Sequence, residues 1–391
     1  MPRILISGYY GFGNAGDEAI LQAIVEDLRR VEAEVQISVL TANPEAARKL
    51  GLEPVPRSAP GPVLRALRSC NLLLSGGGGL IQDSTGINSV IYYLGVCLLA
   101  RLVRRPVMLY CQGFGPVRTG LGRHLTRFAN GLQLLTWRDQ ESADEIRALG
   151  VSRPPSRVTA DPVLGLEPCQ PARVNEILAQ EELTADVARL ERPAGPGSAE
   201  VGPLVGVAVR HWPGLDREAL VEGLRRFAEE DKARLLFLPF QPSRDRPLSE
   251  ELCSRLTPHA RLLRADYEPK ELMGLLSCLD LVLGMRLHAA IMAAARGIPF
   301  LGLAYDPKVE RFCQRCGAMS LSLEGLSSEG LHKALFHLLR ARAPVRQELQ
   351  RRVPPMVASL RGAAQAALAL ARGHDSRAAL ACFEANPALH A

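Results

Sequence analysis

Along the first 165 residues, short continuous apolar runs alternate with segments whose apolar residues recur every three or four positions. The runs are RILIS, VQISVL (35–40), NLLLS (71–75), PVMLYC (106–111), LQLLT (132–136) and RVTA (157–160). Between them, EAILQAIVEDLRR (18–30) and DQESADEIRALG (139–150) carry the helical period. Runs that are apolar throughout, rather than alternating with polar residues, predict parallel strands covered on both faces. Strand and helix in alternation predict a doubly wound α/β layer.

The pattern breaks between about 170 and 203, where ERPAGPGSAEVGP (191–203) reads as a linker bounding a short helical segment. It restarts with LVGVAV (204–209), RLLFLPF (234–240), ARLL (260–263), LDLVLG (279–284) and IPFLGL (298–303), with helices such as REALVEGLRRFAEE (217–230) between. The predicted organisation is a Rossmann-like domain over 1–170, a linker over 171–203 and a second Rossmann-like domain over 204–344. A helical segment over 345–373 and a loose tail over 374–391 follow. Val353, Met356, Val357, Leu360 and Ala364 recur at helical spacing after the second sheet is complete, so that segment needs a partner surface. Two such domains imply a cleft, and ligands of this fold class bind at the carboxyl ends of the strands.

Composition narrows the partners. The net charge is +6, but arginine is scattered, and two Trp and seven Tyr do not make the basic, aromatic-interleaved patch of a nucleic-acid binder. A modest positive balance suits anionic small substrates or an anionic membrane surface. The apolar stretch 89–103 is too short to span a bilayer and reads as a buried helix packed on a sheet. MPRILISGYY carries no signal-peptide core, so the expectation is a cytoplasmic protein. Nine cysteines are scattered, and Cys313-x-x-Cys316 alone is poor evidence for zinc. No metal and no cofactor are expected.

Every distinctive stretch falls after a predicted strand. Gly11-Phe12-Gly13-Asn14-Ala15-Gly16 spells the glycine fingerprint of dinucleotide sites. Asp17-Glu18, however, occupy the helix start where a pyrophosphate would sit, and VQISVL is followed by Thr41-Ala42-Asn43 with no carboxylate for a ribose. The turn therefore reads either as a tight turn capped by Asp17 or as a loop in which Gly13, Asn14 and Gly16 let a ligand approach and Asp17 is presented to it. The run GGGGLIQDSTG (76–86), with Gly77 and Gly78, offers close backbone approach to an anion or sugar. QGFGPV (112–117) places Gln112 and Phe114 at the cleft. Arg138 at a strand end is suited to a phosphate or carboxylate, or to a salt bridge with Asp139 or Glu141. Asp161 orients a neighbour or caps a turn. In the second half, Arg210 follows LVGVAV, and Arg286-Leu287-His288 opens an alanine-rich helix, putting a cation and a titratable imidazole together. Asp306 and Lys308 lie on the next loop.

ISGYYGFGNAGDEAIL, SGGGGLIQD, QGFGPV, WRDQES, TADPVL, GMRLHA and AYDPKV occur in the order and at the intervals of the polysaccharide pyruvyl transferase family. Over about residues 3 to 340 the chain resembles its CsaB-type members. That resemblance implies a GT-B-like fold, two doubly wound domains facing a central cleft with a C-terminal helix crossing back to the first. It also implies an enzyme that uses phosphoenolpyruvate as co-substrate, and an acceptor that is an N-acetylmannosamine unit of a lipid-linked cell-wall polysaccharide precursor, later recognised by S-layer-homology domains. Contact with the inner membrane surface goes with such an acceptor. Asp17, Arg138, Arg286 and His288 match the positions tied to the family's activity, with Leu287 beside the donor and Gly13, Asn14, Gly16, Gly77, Gly78, Gln112, Arg210 and Lys308 on the cleft loops.

The residue types suit that chemistry on independent grounds. The anionic donor needs cations, which Arg138 and Arg286 supply, and ketal formation needs a general acid and a general base. His288 as acid with Asp17 activating the acceptor hydroxyl is the preferred assignment, and the reverse stays open. Two other readings are a nucleotide-sugar glycosyltransferase of the same architecture and a non-catalytic sugar-binding module. The first wants a ribose-holding acid in the second domain, and the second has no use for Arg286 together with His288.

Overall fold

The computed structural model describes residues 1–84, 86–184 and 202–384. The chain forms two compact units, Met1–Leu166 with the stretch from Pro355 onward, and Glu167–Pro354.

The sheet of the first unit contains β1 (Arg3–Ser7), β2 (Gln36–Thr41), β3 (Glu53–Pro56), β4 (Leu72–Ser75), β5 (Gly78–Ile81), β6 (Val107–Phe114), β7 (Leu134–Trp137) and β8 (Ser156–Val158). Their order is β3-β2-β1-β4-β6-β7-β8, all pairings are parallel, and β5 adds to β6. The direction of winding reverses between β1 and β4, so the loops after these two strands flank the switch point where open sheets of this kind bind ligands. Leu5, Leu73, Leu109 and Leu135 stand at the centre of the core that these strands share with their helices.

Three local expectations change. The strand expected to end at Cys111 runs on to Phe114, because β5 lies alongside and supplies partners for its ladder. The segment after β4 is accordingly a short strand rather than a continuous glycine loop. The helix Asn88–Leu102 is buried on one face only, through Val90, Tyr93, Leu94, Cys97 and Ala100, while Ile91, Leu99 and Leu102 are exposed. β3 is not among the strands expected from the sequence; its EPVP carries two prolines, which it tolerates as an edge strand.

The second unit contains β9 (Leu204–Ala208), β10 (Arg234–Phe237), β11 (Ala260–Leu262), β12 (Leu281–Gly284), β13 (Phe300–Ala304) and β14 (Met319–Ser322), in the order β11-β10-β9-β12-β13-β14 and parallel throughout. Its switch point lies between β9 and β12. Edge strand β14 lacks an apolar run and was likewise unexpected. The helix Pro171–Gln180, expected in the linker, belongs to this unit: Val174, Ile177 and Leu178 are buried, and Val174 closes on Gly274 of the helix Pro269–Leu276. Residues 185–201, which hold most of the expected linker, lie outside the described residues.

The helix Arg342–Ala371 starts in the second unit and ends in the first. The passage falls at Pro354-Pro355, where two N–H donors are missing from the helical ladder. Within the first unit, Leu360 and Val357 reach Gly165. The tail is not loose as far as it is described: Ser376–Glu384 is a helix, and its Phe383 is buried against Gly362.

Candidate functional site

In the first unit the chain leaves β1 through a turn in which Gly11 and Gly13 have φ of 84° and 66°. The helix Ala15–Val31 is capped by Asn14, whose Oδ1 accepts from Gly16 N at 3.1 Å. Asp17 is therefore not the cap. Its carboxylate accepts from Asn14 Nδ2 at 2.5 Å, and Glu18 turns back to accept from Gly11 N at 2.7 Å, closing the turn. These two bonds fix the loop and hold Asp17, half-buried, beside the end of β4.

Of the four glycines after β4, two answer to packing. A Cβ on Gly76 would meet the Tyr10 hydroxyl at 2.2 Å, and one on Gly77 would meet Ile20 at 3.0 Å. Gly78 has φ of 93° and lies against Asp17 Oδ1, while Gly79 is open. Tyr10 is buried with its hydroxyl unpartnered, and burial first, then the charge of Asp17, pushes its phenol well above the ordinary range.

Gln112 and Phe114, expected at the cleft, are both buried. Gln112 Nε2 donates to Ser75 Oγ at 2.8 Å and to the Gly76 carbonyl at 2.9 Å, and Phe114 packs edge-on against Trp137. The reason is the longer β6: in a strand covered on both faces neither side chain has solvent to face. Gln112 is then a clamp on the end of β4. Arg138 follows β7, its N–H bound to the Gln112 carbonyl at 3.0 Å. Its guanidinium lies over the backbone of Gly113, where a Cβ would stand 2.6 Å away, and meets Asp139 at 3.3 Å and Asp161 at 3.5 Å. Asp161 also caps its turn, accepting from Val163 N at 3.2 Å, so both roles considered for it hold.

In the second unit the loops after β10, β9, β12 and β13 carry the distinctive side chains, and these four strands are neighbours. Arg286 precedes the helix Leu287–Ala295, and the amides of Met285 and Arg286 both donate to the Ala208 carbonyl, tying this turn to the end of β9. Its guanidinium forms a fork with Asp245: Nε donates to Oδ2 at 2.9 Å and Nη2 to Oδ1, with Gln241 Oε1 at 3.4 Å. Asp245 is fully buried and also accepts from Gln241 N at 2.8 Å. This pair leaves Nη1 of Arg286 uncommitted. Leu287 is buried, and His288 is half-buried on the first helical turn, at the positive end of the helix dipole.

Arg210, just past β9, donates from Nη1 to Tyr305 Oη at 3.2 Å and lies 5.4 Å from the Trp212 ring and 5.2 Å from that of Tyr305. Its Nε is buried without a hydrogen-bond partner. Asp306 caps the next helix, and Lys308 Nζ lies 3.2 Å from its carboxylate and 5.7 Å from the Tyr305 ring. Asp245, Gln241 and Tyr305 were not singled out in the sequence. Asp245 had a signal, an acid a few residues past a buried strand, but nothing in the sequence pairs it with Arg286 across 41 positions.

Among the described residues no group of three His, Cys, Asp or Glu side chains is placed to hold a metal ion. Cys313 and Cys316 are buried on the helix Pro307–Cys316, and burial pushes both thiols up to about 12.

The model of the family described as polysaccharide pyruvyl transferase matches residues 14–307. No curated protein matches the chain. Solved structures do. A UDP-GlcNAc 2-epimerase from Neisseria meningitidis bound to UDP-GlcNAc is 12% identical with a TM-score of 0.60, covering 94% of this chain and 99% of its own. The S. aureus MnaA–UDP structure is 12% identical with a TM-score of 0.61, covering 94% and 95%. A glycosyltransferase from Rickettsia africae ESF-5 is 10% identical with a TM-score of 0.60, covering 95% and 98%. At such identities the likeness is one of fold, and with the two parallel sheets it makes this chain GT-B-like.

Proposed function

The chain belongs to the polysaccharide pyruvyl transferase family, and from that premise we propose that it transfers pyruvate from phosphoenolpyruvate to a sugar as a ketal. The observation that carries this reading is the sheet edge of the second unit, where Arg210, Arg286, His288 and Lys308 come from the ends of three adjacent strands. Phosphoenolpyruvate is a compact anion with a carboxylate and a phosphate, and such an edge suits it.

In the proposed reaction the donor's methylene carbon takes a proton, leaving an oxocarbenium-like centre at C2. A sugar hydroxyl attacks C2, phosphate departs with its bonding pair, and a second hydroxyl closes the ketal. One hydroxyl proton replaces the proton given to carbon, and the other leaves with phosphate. We assign the carbon protonation to His288. In the first unit, Asp17 takes the hydroxyl proton, its carboxylate oriented by Asn14. Arg286 presents Nη1 to the donor while Asp245 fixes its plane, and Arg138 holds the donor's other anionic group. Leu287 supplies an apolar wall. No cofactor enters this scheme.

For the acceptor we propose an N-acetylmannosamine unit on a lipid-linked precursor of a cell-wall polysaccharide, as in the CsaB-type members, whose ketalised polymer anchors S-layer-homology domains. An acceptor of that kind keeps the enzyme on the cytoplasmic side of the inner membrane. The test is to offer phosphoenolpyruvate with a panel of synthetic lipid-linked disaccharides. Acceptor-dependent phosphate release with a pyruvyl mass increment is expected for the N-acetylmannosamine acceptor. Transfer of a sugar from UDP-sugar, with phosphoenolpyruvate inert, would replace this reading by the glycosyltransferase one.

A further inference from the structure

The helix Asn88–Leu102 is apolar on all sides, yet only one side of it is buried. On the other side Ile91, Gly95, Leu98, Leu99 and Leu102 follow one another at helical spacing, with Ile91, Leu99 and Leu102 47%, 41% and 70% exposed. An exposed helix face of this composition is what a surface helix of a water-soluble domain ordinarily avoids. The helix Gly120–Thr126 and the 3₁₀ turn Arg127–Gly131 pack beside it and add Leu121, 55% exposed, and Phe128, 43% exposed. Five of the nine large apolar side chains exposed among the described residues therefore lie on three contiguous elements. A shallow apolar recess opens between them, lined by Leu94, Leu98, Phe128 and Leu132.

The charge around this face is as uneven as its apolarity. From Ser84 to Arg138 the sequence has no Asp or Glu and seven Arg, a contribution of +7 where the whole chain carries +6. Arg138 belongs to the sheet edge described above. The other six, Arg101, Arg104, Arg105, Arg118, Arg123 and Arg127, lie within or next to the three elements. Three of them donate to backbone carbonyls: Arg105 to Arg68, Arg123 to Val117 and Arg127 to Leu149. Such bonds aim a guanidinium without neutralising it. Among the described residues none of the six is in a salt bridge.

We propose that this face of the first unit docks on an anionic lipid surface, with Leu99, Leu102, Leu121 and Phe128 entering the headgroup region and the arginines binding phosphates around them. An in-plane helix needs both parts: apolar side chains that gain from leaving water, and cations at the rim held by the surface potential. The excess of cations, six arginines against the one acid Asp83 that binds the Arg118 and Thr119 amides, distinguishes lipid from a second copy of this chain, whose same face would repel it. The proposal rests on the face itself and needs neither the donor nor the acceptor assignment.

The test is co-sedimentation of the full chain with vesicles, without substrates. Vesicles of phosphatidylglycerol and phosphatidylcholine in equal parts should bind the protein, vesicles of phosphatidylcholine alone should bind it far less, and high salt should release it. The triple variant Leu102→Asp, Leu121→Asp, Phe128→Asp should lower partitioning at least about tenfold, since each side chain loses its transfer gain. Arg101→Glu with Arg104→Glu and Arg123→Glu should lower it by about tenfold or more, while Arg351→Glu on an exposed helix of the second unit should not. All replaced side chains are exposed, so melting temperatures should stay at the wild-type value. Binding unchanged in both triple variants, or equal binding to neutral and anionic vesicles, overturns the proposal. So does self-association through this face with no vesicle binding. None of these results bears on pyruvyl transfer, which has its own assay.

Discussion

The two sheets share a topology, yet their carboxyl edges differ in charge. The first presents Asp17, Glu18, Asp139 and Asp161 with Arg138 and with Arg57, which follows β3 and donates to the Gly8 carbonyl, and the buried phenol of Tyr10 registers three of these four acids as a push on its own ionisation. The second presents Arg210, Arg286, Lys308 and His288, braced by Asp245 and Asp306 and lined by Trp212 and Tyr305. The same switch-point geometry thus serves opposite electrostatics. An acid edge suits taking a proton from a neutral hydroxyl, and a cation edge suits holding an anion and protonating it. The bracing differs too. Arg286 is locked by a buried fork, whereas Arg138 is seated by the flatness of Gly113 and meets its carboxylates at 3.3 and 3.5 Å.

The largest effect that would break this contrast is on turnover. His288→Ala should cut kcat by about 10²–10⁴-fold, the usual worth of a general acid, with the melting temperature little changed because the side chain is only half-buried. Near-normal turnover would move the acid elsewhere.

Next in size is the fork. Arg286→Ala leaves the Asp245 carboxylate fully buried without its partner, which should cost about 3–5 kcal/mol of stability as well as donor affinity. Arg286→Lys should not restore either, since a point charge cannot reproduce two parallel bonds. Denaturant midpoints and KM for phosphoenolpyruvate separate the two losses; an unchanged midpoint would mean that Asp245 relaxes into water.

Gly113→Ala sharpens the other side of the comparison. Its new methyl would stand 2.6 Å from the Arg138 guanidinium, so the side chain must shift. We expect a cost of about 1–3 kcal/mol and a raised KM for phosphoenolpyruvate with kcat nearly retained. An unaffected KM would detach Arg138 from the donor.

The smallest effect separates the acid edge from an acid beneath it. Burial raises the Asp27 carboxyl to about 6 despite its ion pair with Arg30, and its Oδ2 has no hydrogen-bond partner. Between the ordinary carboxylate range and that value the folded state holds a proton that the unfolded state has lost. Stability therefore falls as pH rises through this window and is not regained above it. Asp27→Asn should gain about 1–2 kcal/mol above neutral pH and nothing in acid, read from urea midpoints at both. A gain that is the same at both pH values would assign it to packing rather than protonation.

Much of the fold was legible because its strands are buried on both faces: RILIS, NLLLS and LDLVLG are apolar end to end and needed no partner to be recognised. The edge strands EPVP and MSLS were not, since an edge asks for no such run. Which residues stand at sheet edges was legible from their place after strands, as for Asp17, Arg138, Arg210 and His288. What each one touches was not. Gln112 was expected to face a ligand and is buried, because β5 prolongs the ladder of β6 by pairing that no local pattern announces. Asp245 became visible only when strand order brought β10 and β12 to either side of β9. Gly76 and Gly77, read as openings for a ligand, make room for Tyr10 and Ile20.

The first step of the proposed reaction gives the donor's methylene carbon a new proton. Run in deuterium oxide with phosphoenolpyruvate and the lipid-linked acceptor, the reaction should release phosphate and give a ketal whose methyl group carries a single deuterium. Protonation at carbon by an exchangeable side-chain acid requires that label. A ketal whose methyl group carries none, or phosphate release with no ketal, would contradict it.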